Sequence, residues 1–195
     1  MISETTIQLG IREDQAAAAT ALYCEAFREK LAPFLGDQDR AARFLMTGLA
    51  PDRAFLAMKG NQVVGIAGFK VDGKGLYEPG FRLFFAEYGL SALIRIGGLL
   101  LLERAESPDI LLMDGIAVSS SARGQGIGTR LLQAIEAHAR QLGKKSIRLD
   151  VVDTNPGARR LYERHGFEAR KTVGTGVLGR LFLFRASTDM RKSLA

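Results

Sequence analysis

Arg123-Gly124-Gln125-Gly126-Ile127-Gly128 is the stretch of this chain whose residue types and spacing most clearly suit chemistry. Glycines let the backbone come close to an anion and adopt conformations closed to other residues. Before the stretch lies the apolar run Ile110 to Val118, broken only by Asp114 and Gly115, and after it comes an amphipathic helical pattern. The first N–H groups of a helix have no partner inside the helix, and they carry the positive end of its dipole. A strand, then glycines, then a helix start is therefore suited to gripping phosphate. A tight turn alone needs one glycine, whereas Gly124, Gly126 and Gly128 all fall here.

Two familiar phosphate loops do not fit. A P-loop requires Lys followed by Ser or Thr after its last glycine, and Gly128 is followed by Thr129-Arg130. A dinucleotide fingerprint requires its third glycine where Thr129 stands. It also requires further strand–helix units, of which about one remains before the C-terminus.

Around this loop the chain must supply a scaffold. Ile7, Leu9 and Ile11 alternate with polar residues and predict a strand. Asp14 is expected to cap a helix reaching about Phe27, with Ala18, Leu22 and Ala26 on its buried face. Pro33 and Gly36 are expected to break the chain, and Asp37 or Asp39 to start a helix with Ala41, Leu45 and Leu49 inside. Ala54 to Lys59 and Gln62 to Val71 read as two strands turning at Gly60-Asn61. Ile110 to Val118 reads as the central strand. Gly126 to Leu142 reads as a helix whose apolar stripe is Ile127, Leu131, Leu132, Ile135, Ala139 and Leu142, ended by Gly143. Ser146 to Val152 is the next strand, Asn155-Pro156 opens a helix closed by Gly166, and Phe167 to Val173 and Val177 to Ala186 are the last strands. Met190 to Ala195 reads as a polar, frayed tail.

Composition narrows the function classes. A chain of 195 residues, 47% hydrophobic and 25% charged, fits one ordinary folded domain and does not indicate disorder. A net charge of +6 favours an acidic partner, either nucleic acid or a phosphorylated small molecule. The basic residues are scattered, and no recognition-helix or aromatic-basic motif supports nucleic acid. Cys24 is the single cysteine, which excludes a disulfide framework and a cysteine-rich metal centre, and it reads as packing. His138, placed among polar helix positions, and His165, in a turn, lack the companions a metal site needs, so no metal is expected. The start Met1-Ile2-Ser3-Glu4 is read as carrying no secretion signal. The apolar run Ile96 to Leu102 is well short of the ~20 residues that span a bilayer. A soluble, cytoplasmic protein is the expectation.

Arg123 to Gly128 resembles the acetyl-CoA-binding signature of the GNAT N-acetyltransferase superfamily, which runs Gln or Arg, two residues, Gly, one residue, Gly or Ala. Ile116-Ala117-Val118 precedes Arg123 at the family's spacing. Asn155, then Ala158 to Glu163, then Gly166-Phe167 is similar to the family's second motif. The resemblance implies a mixed α/β fold forming a single domain over 1–195. Its central sheet would be mostly antiparallel, of about seven strands with a parallel splayed pair, helices on both faces and an extra helical insertion at about 81–105.

It also implies a function: transfer of an acetyl group from acetyl-CoA to a primary amine by direct attack in a ternary complex. The pyrophosphate would lie on the amides of Gln125 to Gly128 at the helix start, with Arg123 and the flanking Gly124 and Thr129. The backbone of the Ile116-Ala117-Val118 segment would hold the pantetheine arm and polarise the thioester carbonyl. Asn155 and Arg159 would contact the cofactor, and Tyr162 would contact it and protonate the leaving thiolate. Asp114 interrupts an apolar strand near the expected reaction centre, where a carboxylate should have a raised pKa. It is read as the base, as a binder of the substrate's cation, or as a structural hydrogen-bonding group, with Glu78 or Glu87 a further candidate for the base. Gly115 beside it suggests a bulge. The alternative function is a module of the same fold that binds acyl-CoA without turnover.

The chain departs from compact family members between Lys74 and Pro108. Phe81 to Ala105 is apolar and is read as helical, interrupted at Gly89 or at Gly97-Gly98. So apolar a segment is expected to be covered. Packing over the sheet edge near the acceptor is the leading reading; extra core, a homodimer surface and a membrane-surface helix are the others.

Overall fold

The protein is seen in a computed structural model that describes residues 4–78, 80–92, 107–176 and 184–194. Its strands are β1 (Thr5–Leu9), β2 (Ala54–Lys59), β3 (Gln62–Lys70), β4 (Ile110–Val118), β5 (Ser146–Val152), β6 (Glu168–Gly174) and β7 (Ala186–Ser193). Its helices are α1 (Glu13–Ala26), α2 (Arg28–Leu35), α3 (Gln38–Met46), α4 (Phe81–Tyr88), α5 (Ile127–Gln141) and α6 (Pro156–Arg164). The strands form one seven-stranded sheet in the order β1-β2-β3-β4-β5-β7-β6. Every neighbouring pair is antiparallel except β4 and β5.

That one parallel pair is short. Its register runs from Ile110 opposite Ser146 to Met113 opposite Leu149 and goes no further. Beyond it β4 stays paired to β3 as far as Val118, and β5 stays paired to β7 as far as Val152. The two strands therefore part company in the middle of the sheet, leaving a wedge between their facing edges. The parting starts at a bulge. Gly68 lies opposite Gly115 and Phe69 opposite Met113, so Asp114 is the extra residue, and Gly115 has φ +145°. A bulge bends its strand and increases the local twist, which re-aims the backbone that follows. Gly68 supplies the room: a Cβ there would lie 2.9 Å from Leu76 and 3.3 Å from the Asp114 carboxylate.

Helices cover both faces. On one, Leu131, Leu132 and Ile135 of α5 and Tyr162 of α6 pack on Phe69, Leu111, Met113, Ile147 and Leu149. A fully buried leucine such as Leu131 contributes roughly 1.5–3 kcal/mol of transfer free energy. Gly65 lets α5 settle closely on β3, since a Cβ there would lie 3.0 Å from Leu131. On the opposite face Ala19 and Leu22 of α1 pack with Leu56, Met58, Ile66, Leu76 and Ala117. A third cluster joins Phe34, Leu35, Phe44 and Leu45 of α2 and α3 to Phe84 and Tyr88 of α4, with Val152 against it.

Several expectations are corrected. The tail expected from Met190 onward is not frayed: as far as Ser193 it is the end of β7, which starts at Ala186 and is seated between β5 and β6. Thr188 and Met190 are its buried positions, Leu194 just after it is buried too, and the strand's polar appearance comes from Asp189, which pairs with Arg148 at 3.0 Å. The strand read over Val177 to Ala186 lies, for 177–183, outside the described residues. Pro33 does not break the chain; it lies inside α2, near its C-terminal end, and Gly36 makes the break with φ +86°. Arg12 rather than Asp14 is the cap of α1, and Gln15, Ala19 and Leu22 are buried while Ala18 and Ala26 are exposed. An unbroken run of alanines gives no stripe to read. Leu142 caps α5 and is exposed, outside the apolar stripe. His138 is half-buried, its ring 5.0 Å from that of Phe69, and burial holds its pKa below the ordinary imidazole value.

The insertion begins as expected with a helix, α4, that ends at Gly89. Among the described residues, α4 packs on α2 and α3. Phe84 meets Phe44 edge-on at 4.8 Å, the Tyr88 hydroxyl donates to the Leu35 carbonyl at 2.9 Å, and Arg40 pairs with Glu87 at 2.8 Å. The part of the insertion over 93–106, with Gly97-Gly98 and the leucines after it, lies outside the described residues.

Candidate active site

The glycine loop leads from the end of β4 into α5. Gly124 and Gly126 have φ +77° and +74°, which L side chains rarely adopt, and a Cβ on either would meet nothing within 4 Å. These glycines therefore serve the backbone path and leave the space over the loop open. Among the described residues, the N–H groups of Gly124 to Thr129 donate to no backbone carbonyl; the ladder begins with Arg130 donating to Gly126 at 3.1 Å. No side chain caps α5 and its first turn has no acidic residue. Unpaired donors, a helix dipole, and the exposed Arg123 and Arg130 make this a cradle that fits a pyrophosphate. Gly128 serves another purpose: a Cβ there would lie 3.2 Å from Leu161, so it lets α5 and α6 approach.

The cradle adjoins the wedge. The Ser119 amide donates to the Val64 carbonyl across β3, so by alternation Ala117 also turns its backbone to β3, while Ile116 and Val118 turn theirs into the wedge. The Ala117 side chain is buried in the α1 face, so of the three residues read as arm-holding it is the one turned away. The Val118 carbonyl accepts from Arg123 Nε at 3.3 Å. Tyr162 is buried, with the Ile116 N–H directed at its phenol oxygen. Burial raises the phenol's pKa, and the Ile116 amide opposes this. Asn155 caps α6, its Oδ1 accepting from the Ala158 amide at 3.0 Å. Arg159 is exposed and engaged with Glu163 at 2.9 Å.

Asp114 lies on the other face of the sheet. Its carboxylate is half-buried, and burial raises its pKa to about 6 against a hydrogen bond from the Leu76 amide and the charges of Lys70 and Lys30. Tyr23 and Tyr77 stand close enough for its charge to raise their pKa values further. Their rings are 4.9 Å apart, and the Tyr77 hydroxyl donates to Thr20 Oγ at 3.1 Å.

The structure thus sets Ile116, Val118 and Tyr162 along the wedge, with Arg123 to Thr129 at its mouth, and Asp114 on the opposite face of the sheet, over β3 and beside Leu76. Sequence reasoning missed Tyr23, Phe27 and Tyr77, which lie far from the motifs in the chain. It also gave no role to His165, whose Nε2 lies 3.4 Å from Thr129 Oγ beside the cradle. Nor did it foresee that Thr154 donates to Glu29 at 2.8 Å, tying the loop after β5 to α2. Only the Tyr23/Phe27 spacing, one helical turn, was a usable signal. Among the described residues no group of three or more His, Cys, Asp or Glu is gathered as a metal site. Among them, too, no helix is long and apolar enough to cross a membrane.

Comparison with known proteins agrees with this geometry. A crystal structure of an acetyltransferase superposes with a TM-score of 0.69 at 26% identity, covering 97% of this chain and 100% of that one. An N-acetyltransferase from Staphylococcus aureus gives 0.65 at 17% identity, covering 99% and 100%. YncA from Salmonella typhimurium, assigned as an acetyltransferase and solved with its cofactor acetyl-CoA, gives 0.60 at 19% identity, covering 98% and 94%. No curated relative matches the chain. The model of the acetyltransferase (GNAT) family matches residues 16–167, and the chain, with its splayed parallel pair and open glycine cradle, belongs to that family.

Proposed function

We propose that this protein is an acetyl-CoA-dependent N-acetyltransferase, one domain spanning the chain, that acts on a primary amine of a small molecule or peptide. The observation that carries the reading is the row of unpaired amides from Gly124 to Thr129, set at the mouth of the β4–β5 wedge. Those amides, with Arg123, would hold the pyrophosphate, and the backbone edges of Ile116 and Val118 the pantetheine arm. When bound, acetyl-CoA supplies an acetyl thioester, whose C–S bond breaks as the amine nitrogen forms its C–N bond.

The side chains divide the proton work. Asp114 takes a proton from the acceptor ammonium, freeing the nitrogen lone pair; a carboxylate with a pKa of about 6 is ionised near neutrality yet basic enough to help. The Ile116 N–H donates to the thioester carbonyl as negative charge gathers there. Tyr162 gives its phenol proton to the departing sulfur, and the second proton lost by the nitrogen replaces it. The Asp114 proton leaves to solvent. Base and acid sit on opposite faces of the sheet at β4, so the amine would reach the thioester from the α1 side while the thiolate leaves on the Tyr162 side, in one ternary complex.

Release of free thiol from acetyl-CoA across a panel of primary amines tests this. Acceptor-dependent release is expected. Tight binding of coenzyme A without release on any amine would instead favour a non-catalytic acyl-CoA-binding module.

A further inference from the structure

The junction of α1 and α2 carries a side chain that the proton chemistry does not use. Phe27 ends α1 and begins α2: its amide donates to the Tyr23 carbonyl at 3.0 Å, and its carbonyl accepts from the Lys30 and Leu31 amides at 2.9 and 3.0 Å. Its ring is held against Tyr23, with centroids 4.5 Å apart. The ring lies on the backbone of the β4 bulge. A Cβ on Gly115 would overlap Cζ of Phe27 and lie 2.7 Å from Cε1. Gly115 is thus required twice, by its φ of +145° and by the ring that occupies its side-chain space.

Gly115 immediately precedes Ile116, whose N–H enters the wedge. Tyr162 stands on the α5–α6 side of that N–H; Phe27 and Asp114 stand on the α1 side. A thioester with its carbonyl on Ile116 and its sulfur toward Tyr162 must direct its acyl carbons away from Tyr162, toward the Phe27 ring. We propose that Phe27 is the wall that limits the acyl group to acetyl size. This rests on the acetyl-CoA reading above and adds to it the residue that sets acyl selectivity. An aromatic ring with its backbone fixed on both sides is a stiff wall, and each methylene pressed against it meets packed atoms rather than free space.

The test is calorimetric binding of free coenzyme A, acetyl-CoA and hexanoyl-CoA to the full chain and to Phe27→Ala and Phe27→Leu. The wild-type protein should bind hexanoyl-CoA at least ~10-fold more weakly than acetyl-CoA, the low end of what one misplaced methylene costs. Phe27→Ala should close most of that gap and Phe27→Leu part of it, with affinity for free coenzyme A unchanged. If Phe27→Ala does not fold, Phe27→Leu is read by the same criterion. Equal binding of both thioesters by the wild type, or a gap that survives substitution, overturns the proposal while leaving the cofactor reading intact. Failure of free coenzyme A to bind the wild type overturns both.

Discussion

The phenol of Tyr162 faces the backbone N–H of Ile116 across the β4–β5 wedge, on the side of the sheet opposite Asp114. The backbone donor thus has the phenol on one face of the sheet, and the carboxylate two residues before it is turned to the other. That arrangement follows from the bulge: inserting Asp114 shifts the alternation of β4, so Asp114 and Gly115 both serve the α1 face while Ile116 packs toward α5.

Replacing Tyr162 by Phe removes the proton donor and keeps the ring that packs 5.9 Å from Phe167. Turnover should fall by roughly 10²–10⁴-fold, the usual worth of a general acid, with coenzyme A affinity unchanged. Steady-state kinetics with calorimetry checks this; an unchanged kcat removes Tyr162 from the acid role.

The Asp114 carboxylate must be ionised to accept a proton, and its pKa is raised to about 6. The rate should climb with pH through that value and level off above it. In Asp114→Asn that limb should vanish and the remaining rate should be lower throughout. A limb that persists in the variant would assign the titration to another group.

The same shift bears on stability, with a definite sign. Folding raises the pKa of Asp114 from the ordinary 3.8 to about 6, so the native state binds this proton more tightly than the unfolded chain does. The group's contribution is therefore most favourable below the unfolded value, declines between the two values, and stays low above pH 6. Asp114→Asn, which keeps an acceptor for the Leu76 amide, should stabilise the protein at pH 7 by up to ~3 kcal/mol and lose that gain below about pH 4. Denaturant midpoints across pH would measure it. A gain that grows as pH falls would contradict the sign.

The cradle depends on backbone shape at Gly126. Asn tolerates the left-handed region and Val does not. Gly126→Val should weaken coenzyme A binding by ~10-fold or more, and Gly126→Asn by less, since the strain and the misdirected amides arise from the same φ of +74°. Equal losses in the two variants would mean the side chain, not the backbone, is what the ligand meets.

The central part of the fold was legible because its signals are local. Leu131, Leu132 and Ile135 recur at helical spacing, Asn155-Pro156 announces a helix start, and Asp114-Gly115 inside an apolar run marks the bulge. The end of β7 from Met190 was misread because Arg191 and Lys192 look like a solvated tail until β5 pairs beside them and its Arg148 meets Asp189. α2 was missed because Pro33 reads as a breaker, although near the end of a short helix it forgoes little. Phe27 carried no sign of its place, since only tertiary packing brings α1 onto the bulge.

The most direct test of the account is a structure of the protein crystallised with coenzyme A. The diphosphate should lie on the amides of Gln125 to Gly128, with the arm in the β4–β5 wedge and its sulfur beside Tyr162. A coenzyme bound elsewhere, or a loop whose amides are filled by the protein's own side chains, would contradict it.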